Sequence, residues 1–174
     1  MSQTAVEKYR QAVEKRAARW RELALRSRDI GPLPAPEHPR RRKNAEKSLS
    51  VWASTYFPNV FVWPFSETHL RVIQRIESAV TSGGCFAYAL PRGCGKTSLS
   101  LAASLWAVVT GKSRYVLVVT ANGVRARQAL STLLSWIQTS KSFVEDYPEI
   151  ALPILAVEGS PQRMRGQICN GRPT

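Results

Sequence analysis

No apolar run in this sequence approaches the ~18 residues a membrane-crossing helix needs, and the first thirty residues are too charged for a secretory leader. Cysteine is scarce. Cys85, Cys94 and Cys169 form no paired metal-type spacing, and an odd count argues for a reducing compartment, so a soluble cytoplasmic protein is expected. Acidic residues are also short, with 12 Asp and Glu against 25 Lys and Arg, a net charge of +13. That balance favours a polyanionic partner such as nucleic acid, a nucleotide or an anionic surface, without choosing among them. What the chain does have is 44% hydrophobic residues over 174 positions, enough for one α/β domain and an appendage. The basic excess is densest at the start, where residues 1–50 hold 13 basic and 6 acidic side chains.

Residues 3–28 predict a basic amphipathic helix, with Val6, Tyr9, Val13, Ala17, Trp20 and Leu23 on one stripe. The four prolines of IGPLPAPEHP cannot continue it and predict an extended linker. Arg40–Lys43 follow as a contiguous basic run, either solvated or in contact with phosphates. Residues 44–56 predict a short helix with Leu49, Trp52, Ala53 and Tyr56 inward. SETHLRVIQRIESAV predicts another, with Ser66 as N-cap, Glu67 in the first turn and Gly83-Gly84 as its stop.

The stretch CFAYALPRGCGKT, 85–97, is read as a strand over Phe86–Leu90, a glycine-bearing turn, and Gly95-Lys96-Thr97 opening a helix. That order is the context of a phosphate-binding P-loop. Glycines let backbone N–H groups approach phosphate oxygens, and the helix start adds its partial positive charge. Lys96 would reach the β- and γ-phosphates of ATP, and the Thr97 hydroxyl would ligate Mg²⁺. Residues Pro91, Arg92, Gly93, Cys94, Gly95, Lys96, Thr97 and Ser98 form the candidate nucleotide site. The full consensus asks for a glycine at position 90, where this chain has Leu90; its extra glycine is Gly93. Cys94 reads as a small residue tolerated in a tight loop.

Downstream, RYVLVVTA, 114–121, predicts a second buried strand, and Val124 to Ile137 an amphipathic helix. DYPEIALP reads as loop, and Ile154 to Val157 as a short third strand. The expected fold class is therefore α/β, an incomplete P-loop-type parallel sheet flanked by helices. The expected domains are a basic helix at 1–29, a Pro/Arg-rich linker at 30–47 and a partial ATPase domain at 48–174.

PRGCGKT at 91–97, PFSETHLRVIQRIE at 64–77, VLVVTAN at 116–122 and VEDYPEI at 144–150 resemble the phage terminase large subunit, in the N-terminal part of its ATPase domain. The resemblance runs from about Leu49 to Thr174 and implies ATP hydrolysis coupled to packaging of double-stranded DNA. It implies portal and small terminase subunit as partners, further copies of the chain in a homo-oligomer, and no membrane. It also implies that Arg92 acts on the γ-phosphate in cis, and that His69, with Phe65 packed nearby, contacts adenine.

A P-loop motor needs in addition an apolar strand ending in paired carboxylates, one for the metal and one to orient water. Glu158 follows ILAV alone, and Asp146 follows no strand. The chain therefore reads as a fragment, a truncated product or one half of a split gene, with little hydrolysis of its own. Two alternatives stand beside the motor: a helicase-like or other DNA-remodelling ATPase, and an accessory protein that binds nucleotide or DNA without hydrolysis.

Overall fold

A computed structural model describes residues 32–156, together with the helical positions Glu7, Gln11, Glu14, Lys15 and Arg19. Those five lie within the helix expected at 3–28; the rest of that helix, and Glu158 and Cys169, lie outside the described residues. The described elements are α1 (Pro39–Ala45), α2 (Leu49–Tyr56), α3 (Glu67–Ser82), α4 (Lys96–Val109), α5 (Gly123–Thr139), α6 (Lys141–Asp146) and α7 (Pro148–Ala156).

Helix boundaries follow local chemistry. Ser66 caps α3 by accepting the His69 N–H, and Gly83 ends the helix at φ 77, a conformation that suits glycine. Asn122 caps α5 by accepting the Arg125 N–H, and Ser140 caps α6 by accepting the Phe143 N–H. The start of α2 is satisfied from outside itself. Glu77 of α3 accepts the Leu49 N–H at 2.6 Å and the Ser48 hydroxyl at 3.1 Å, which fastens α3 to α2.

The expected parallel sheet is overturned: among the described residues there is no β-strand. The apolar runs at 85–90 and 114–121 carry no ladder. Most of their side chains stand in solvent, with Leu117 69% and Val119 82% exposed, and only Val116 of the second run packs against the helical core. A short apolar run is equally suited to a buried strand or to a lone extended segment, and only a pairing partner makes it a sheet. Burial is instead achieved by helix against helix. The third strand expected at Ile154 to Val157 is also absent, since Ile154–Ala156 close α7. The DYPEIALP loop is corrected in the same way. Pro148 sits at the first position of α7, where its fixed φ suits a helix, and Glu149 favours the positive end of the helix dipole.

Two kinds of packing hold the helices. The first is an aromatic cluster of Trp52, Tyr56, Phe57, Phe143 and Tyr147, with ring centroids 5.0–6.2 Å apart in mostly edge-to-face pairs. Such pairs contribute about 0.5–1.5 kcal/mol each beyond their buried area. Trp52 donates its Nε1–H to the Tyr147 hydroxyl at 3.2 Å, so the cluster buries few polar groups unsatisfied. The second is α4, which buries Leu99, Leu101, Ala102, Ala103, Leu105, Trp106, Ala107 and Val109 and packs against α2 and α5. A helix buried on this much of its circumference is rigidly seated, and its first turn is the end that reaches the surface.

A clasp of charges closes α1 onto α6 and α7. Asp146 is fully buried and accepts from Arg41 Nε at 2.7 Å, Arg41 Nη2 at 2.9 Å and the Tyr56 hydroxyl at 2.8 Å. Arg41 also reaches Glu145 at 2.9 Å. Arg42 pairs with Glu149 at 2.7 Å and Glu46 at 3.0 Å, donates to the Asp146 carbonyl, and lies 4.3 Å over the Tyr147 ring. The hydrogen bond to Asp146 raises the Arg41 pKa despite burial. Burial lowers that of Arg42, but Glu149 and Glu46 outweigh it. Burial and the Asp146 carboxylate both push the Tyr56 hydroxyl well above its ordinary range. The basic run at 40–43 is thus neither simply solvated nor wholly free for phosphates, because its two central arginines are half-buried and held in ion pairs.

Candidate phosphate-binding site

The loop before α4 turns through two left-handed glycines, Gly93 at φ 85 and Gly95 at φ 62. Only glycine takes these angles at little cost. A Cβ built on either would meet no atom within 4 Å, so this face of the turn is open. Gly95 is the N-cap of α4, and no side chain caps the helix. The first helical hydrogen bond is donated by the Leu99 N–H to the Gly95 carbonyl at 2.8 Å. The N–H groups of Lys96, Thr97 and Ser98 therefore have no intrahelical acceptor, as at any helix start. No acidic residue occupies the first turn of α4, so nothing there competes for an anion.

Lys96 is half-buried and folded back onto its own loop. Its ammonium donates to the Leu90 and Pro91 carbonyls, both at 2.6 Å. Those bonds hold the charge at the mouth of the turn. Arg92 and Thr97 are exposed, while Cys94 and Ser98 are half-buried. No described carboxylate pairs with Lys96 or Arg92. One layer below, the Ser100 hydroxyl donates to the Lys96 carbonyl at 2.9 Å, and Tyr88 Oη bonds Ser100 Oγ, which ties the run at 85–90 to the second turn of α4.

The structure brings His69 to this loop from 25 residues away. Its Nε2 lies 3.1 Å from the Cys94 carbonyl, and its Nδ1 lies 2.7 Å from the Ser66 hydroxyl. Phe65 packs edge-on against the imidazole at 6.2 Å and against Phe61 at 5.5 Å. Pro91 to Ser98, His69 and Phe65 thus form one connected neighbourhood. The sequence resemblance implies His69 near the nucleotide but carries no signal for its bond to the loop.

Among the described residues, the carboxylates on either side of the loop in chain order are engaged elsewhere. Glu67 pairs with Arg71, Glu77 caps α2, and Glu145, Asp146 and Glu149 hold the arginine clasp. Glu37, His38 and Glu145 bring one ligand atom each within 4.8 Å of one another. Glu145 there already accepts from Arg41, which holds its carboxyl below the usual 4.5 against the opposing effect of burial. Ion pairing therefore accounts for that group without a metal.

Among the described residues, no helix is long and apolar enough to cross a membrane. Comparisons with protein-family models, curated proteins and solved structures find no match to this chain.

Proposed function

We propose that this chain binds the phosphates of ATP on residues 91–98. One observation carries the reading: three N–H groups without intrahelical acceptors and an ammonium converge on one open, doubly left-handed glycine turn. In that role Lys96 exchanges its two carbonyl acceptors for phosphate oxygens, and the N–H groups of Lys96, Thr97 and Ser98 donate to others. The exposed Thr97 hydroxyl is suited to hold Mg²⁺, which supplies charge neutralisation at the phosphates. Exposed Arg92 is free to turn onto the terminal phosphate.

Within this reading the chain serves as the ATP-binding part of a terminase-type DNA-packaging machine in a host cytoplasm, with duplex DNA, portal, small subunit and further copies as partners. Its support is the resemblance at 64–77, 91–97 and 116–122. The expected sheet lends it none, and VEDYPEI is explained by its work in the arginine clasp. A second reading, a nucleotide-binding accessory protein without hydrolysis, is favoured by the commitment of Glu67, Glu77, Glu145, Asp146 and Glu149 to arginines and a cap.

Amide hydrogen exchange with and without ATP and Mg²⁺ tests the site. Slowed exchange at 93–98, with α6 and α7 unchanged, is the expected result. Unchanged exchange across 93–98 at saturating ATP removes the site.

For DNA, the clasp changes where binding falls. Arg41 and Arg42 are spent internally, which leaves Arg40, Lys43 and the basic residues before position 30. Removing residues 1–35 keeps the clasp and is expected to flatten the dependence of duplex affinity on salt. The log–log slope should fall by about 0.9 for each phosphate no longer neutralised. A slope unchanged by that truncation shows that the basic arm is solvated surface.

A further inference from the structure

We infer that His69 is a positioning residue for the phosphate loop, holding the Cys94–Gly95 peptide so that the Gly95 N–H faces the open side of the turn. The inference rests on the proposed phosphate site and adds to it the residue that sets its shape.

The chemistry of the contact fixes which ring nitrogen faces the loop as a donor. A carbonyl oxygen can only accept, so the 3.1 Å contact to Cys94 requires a hydrogen on His69 Nε2. In the neutral ring Nδ1 is then an acceptor, and the Ser66 hydroxyl at 2.7 Å donates to it. Ser66 is itself fixed as the N-cap of α3, where its oxygen accepts the His69 N–H. Ring, cap and helix start thus form one unit, and α3 is fastened to α2 through Glu77. The ring presents a donor from the capped start of α3.

What it holds needs holding. Cys94 lies between two left-handed glycines, and glycine gives the backbone its greatest freedom. A trans peptide carries its C=O and N–H on opposite sides of one plane. Drawing the Cys94 carbonyl toward α3 therefore turns the Gly95 N–H away from α3. The turn is uncrowded there, since a Cβ at Gly95 meets nothing within 4 Å. The Gly95 N–H then joins those of Lys96, Thr97 and Ser98 as a preset donor. Without the tie the peptide is free to flip, and each flipped state presents a carbonyl oxygen to the phosphate instead.

The experiment compares full-length wild type, His69→Ala, His69→Gln and Lys96→Ala. It measures affinity for a fluorescent ATP analogue, and the NMR order parameter of the Gly95 amide without nucleotide. The side-chain amide of His69→Gln offers an N–H near the position of Nε2. Loss of one hydrogen bond predicts roughly three- to tenfold weaker binding for His69→Ala, a lower Gly95 order parameter, and recovery of both in His69→Gln. Equal affinity and an equal Gly95 order parameter in wild type and His69→Ala overturn the inference. Weakened binding that His69→Gln does not recover, with the Gly95 order parameter unchanged, also overturns it, since it assigns the ring a direct contact with the nucleotide. If wild type and Lys96→Ala bind the analogue equally, the phosphate site fails, and the Gly95 order parameter in His69→Ala still decides whether the tie exists.

Discussion

Replacing Asp146 with alanine is expected to destabilise the fold by about 1–3 kcal/mol, the cost of leaving buried donors without an acceptor. The Tyr56 hydroxyl and Arg41 Nε lose their acceptor, while Arg41 Nη2 keeps Glu145. Stability for a domain of this kind is about 5–15 kcal/mol in total, so the loss is a large fraction of it. The urea midpoint should fall with little change in slope, because the surface exposed on unfolding is nearly the same. The double change Arg41→Met with Asp146→Leu should recover much of the loss, since apolar packing can replace a buried pair once both charges are gone. A fall of under about 1 kcal/mol in Asp146→Ala would show that the clasp is peripheral. Acid should loosen the same joint. The Glu145 pKa is lowered in the fold by Arg41, so its contribution is present above about pH 4.5 and is lost as pH falls through the folded value.

ATP turnover by this chain alone is expected at or near the uncatalysed rate. A positioned general base contributes roughly 10²- to 10⁴-fold, and phosphoryl transfer also needs charge neutralisation at the phosphates. The described carboxylates nearest in chain order to the loop are engaged at a cap or with arginines. Arg92 stabilises negative charge but accepts no proton from water, and His69 has both ring nitrogens engaged. A Mg²⁺-dependent rate well above background, abolished by Lys96→Ala, would contradict this. It would direct attention to Glu158, the carboxylate that follows ILAV outside the described residues.

The helices are largely legible in the sequence because their signals are local. Ser66 before Glu67, Gly83 after Ser82, and the spacing of Leu49, Trp52, Ala53 and Tyr56 each act within a turn or two of chain. The glycine turn is legible for the same reason, since Gly93 and Gly95 announce left-handed angles. The sheet is a false signal because Phe86–Leu90 and Arg114–Ala121 satisfy strand preference without revealing whether a partner exists. Helix α7 is hidden because Pro148 and Pro153 read as breakers, whereas the first sits where a helix begins and the second is carried within its last turns. The long-range ties leave no trace in the sequence. Nothing near Arg41 points to Asp146, 105 residues on, and nothing near His69 points to the Cys94 carbonyl.

The central claim is that the turn at 91–98 binds phosphate through Lys96, and equilibrium titration of a fluorescent ATP analogue into wild type and Lys96→Ala tests it most directly. Losing a charge-assisted hydrogen bond of about 1.5–3 kcal/mol predicts roughly ten- to 150-fold weaker binding, with the larger values offset in part because Lys96 must first leave the Leu90 and Pro91 carbonyls. Saturable wild-type binding that inorganic triphosphate displaces and that Lys96→Ala weakens by roughly tenfold or more is the predicted result. Equal affinities for the two proteins, or no saturable binding by wild type, would contradict the claim.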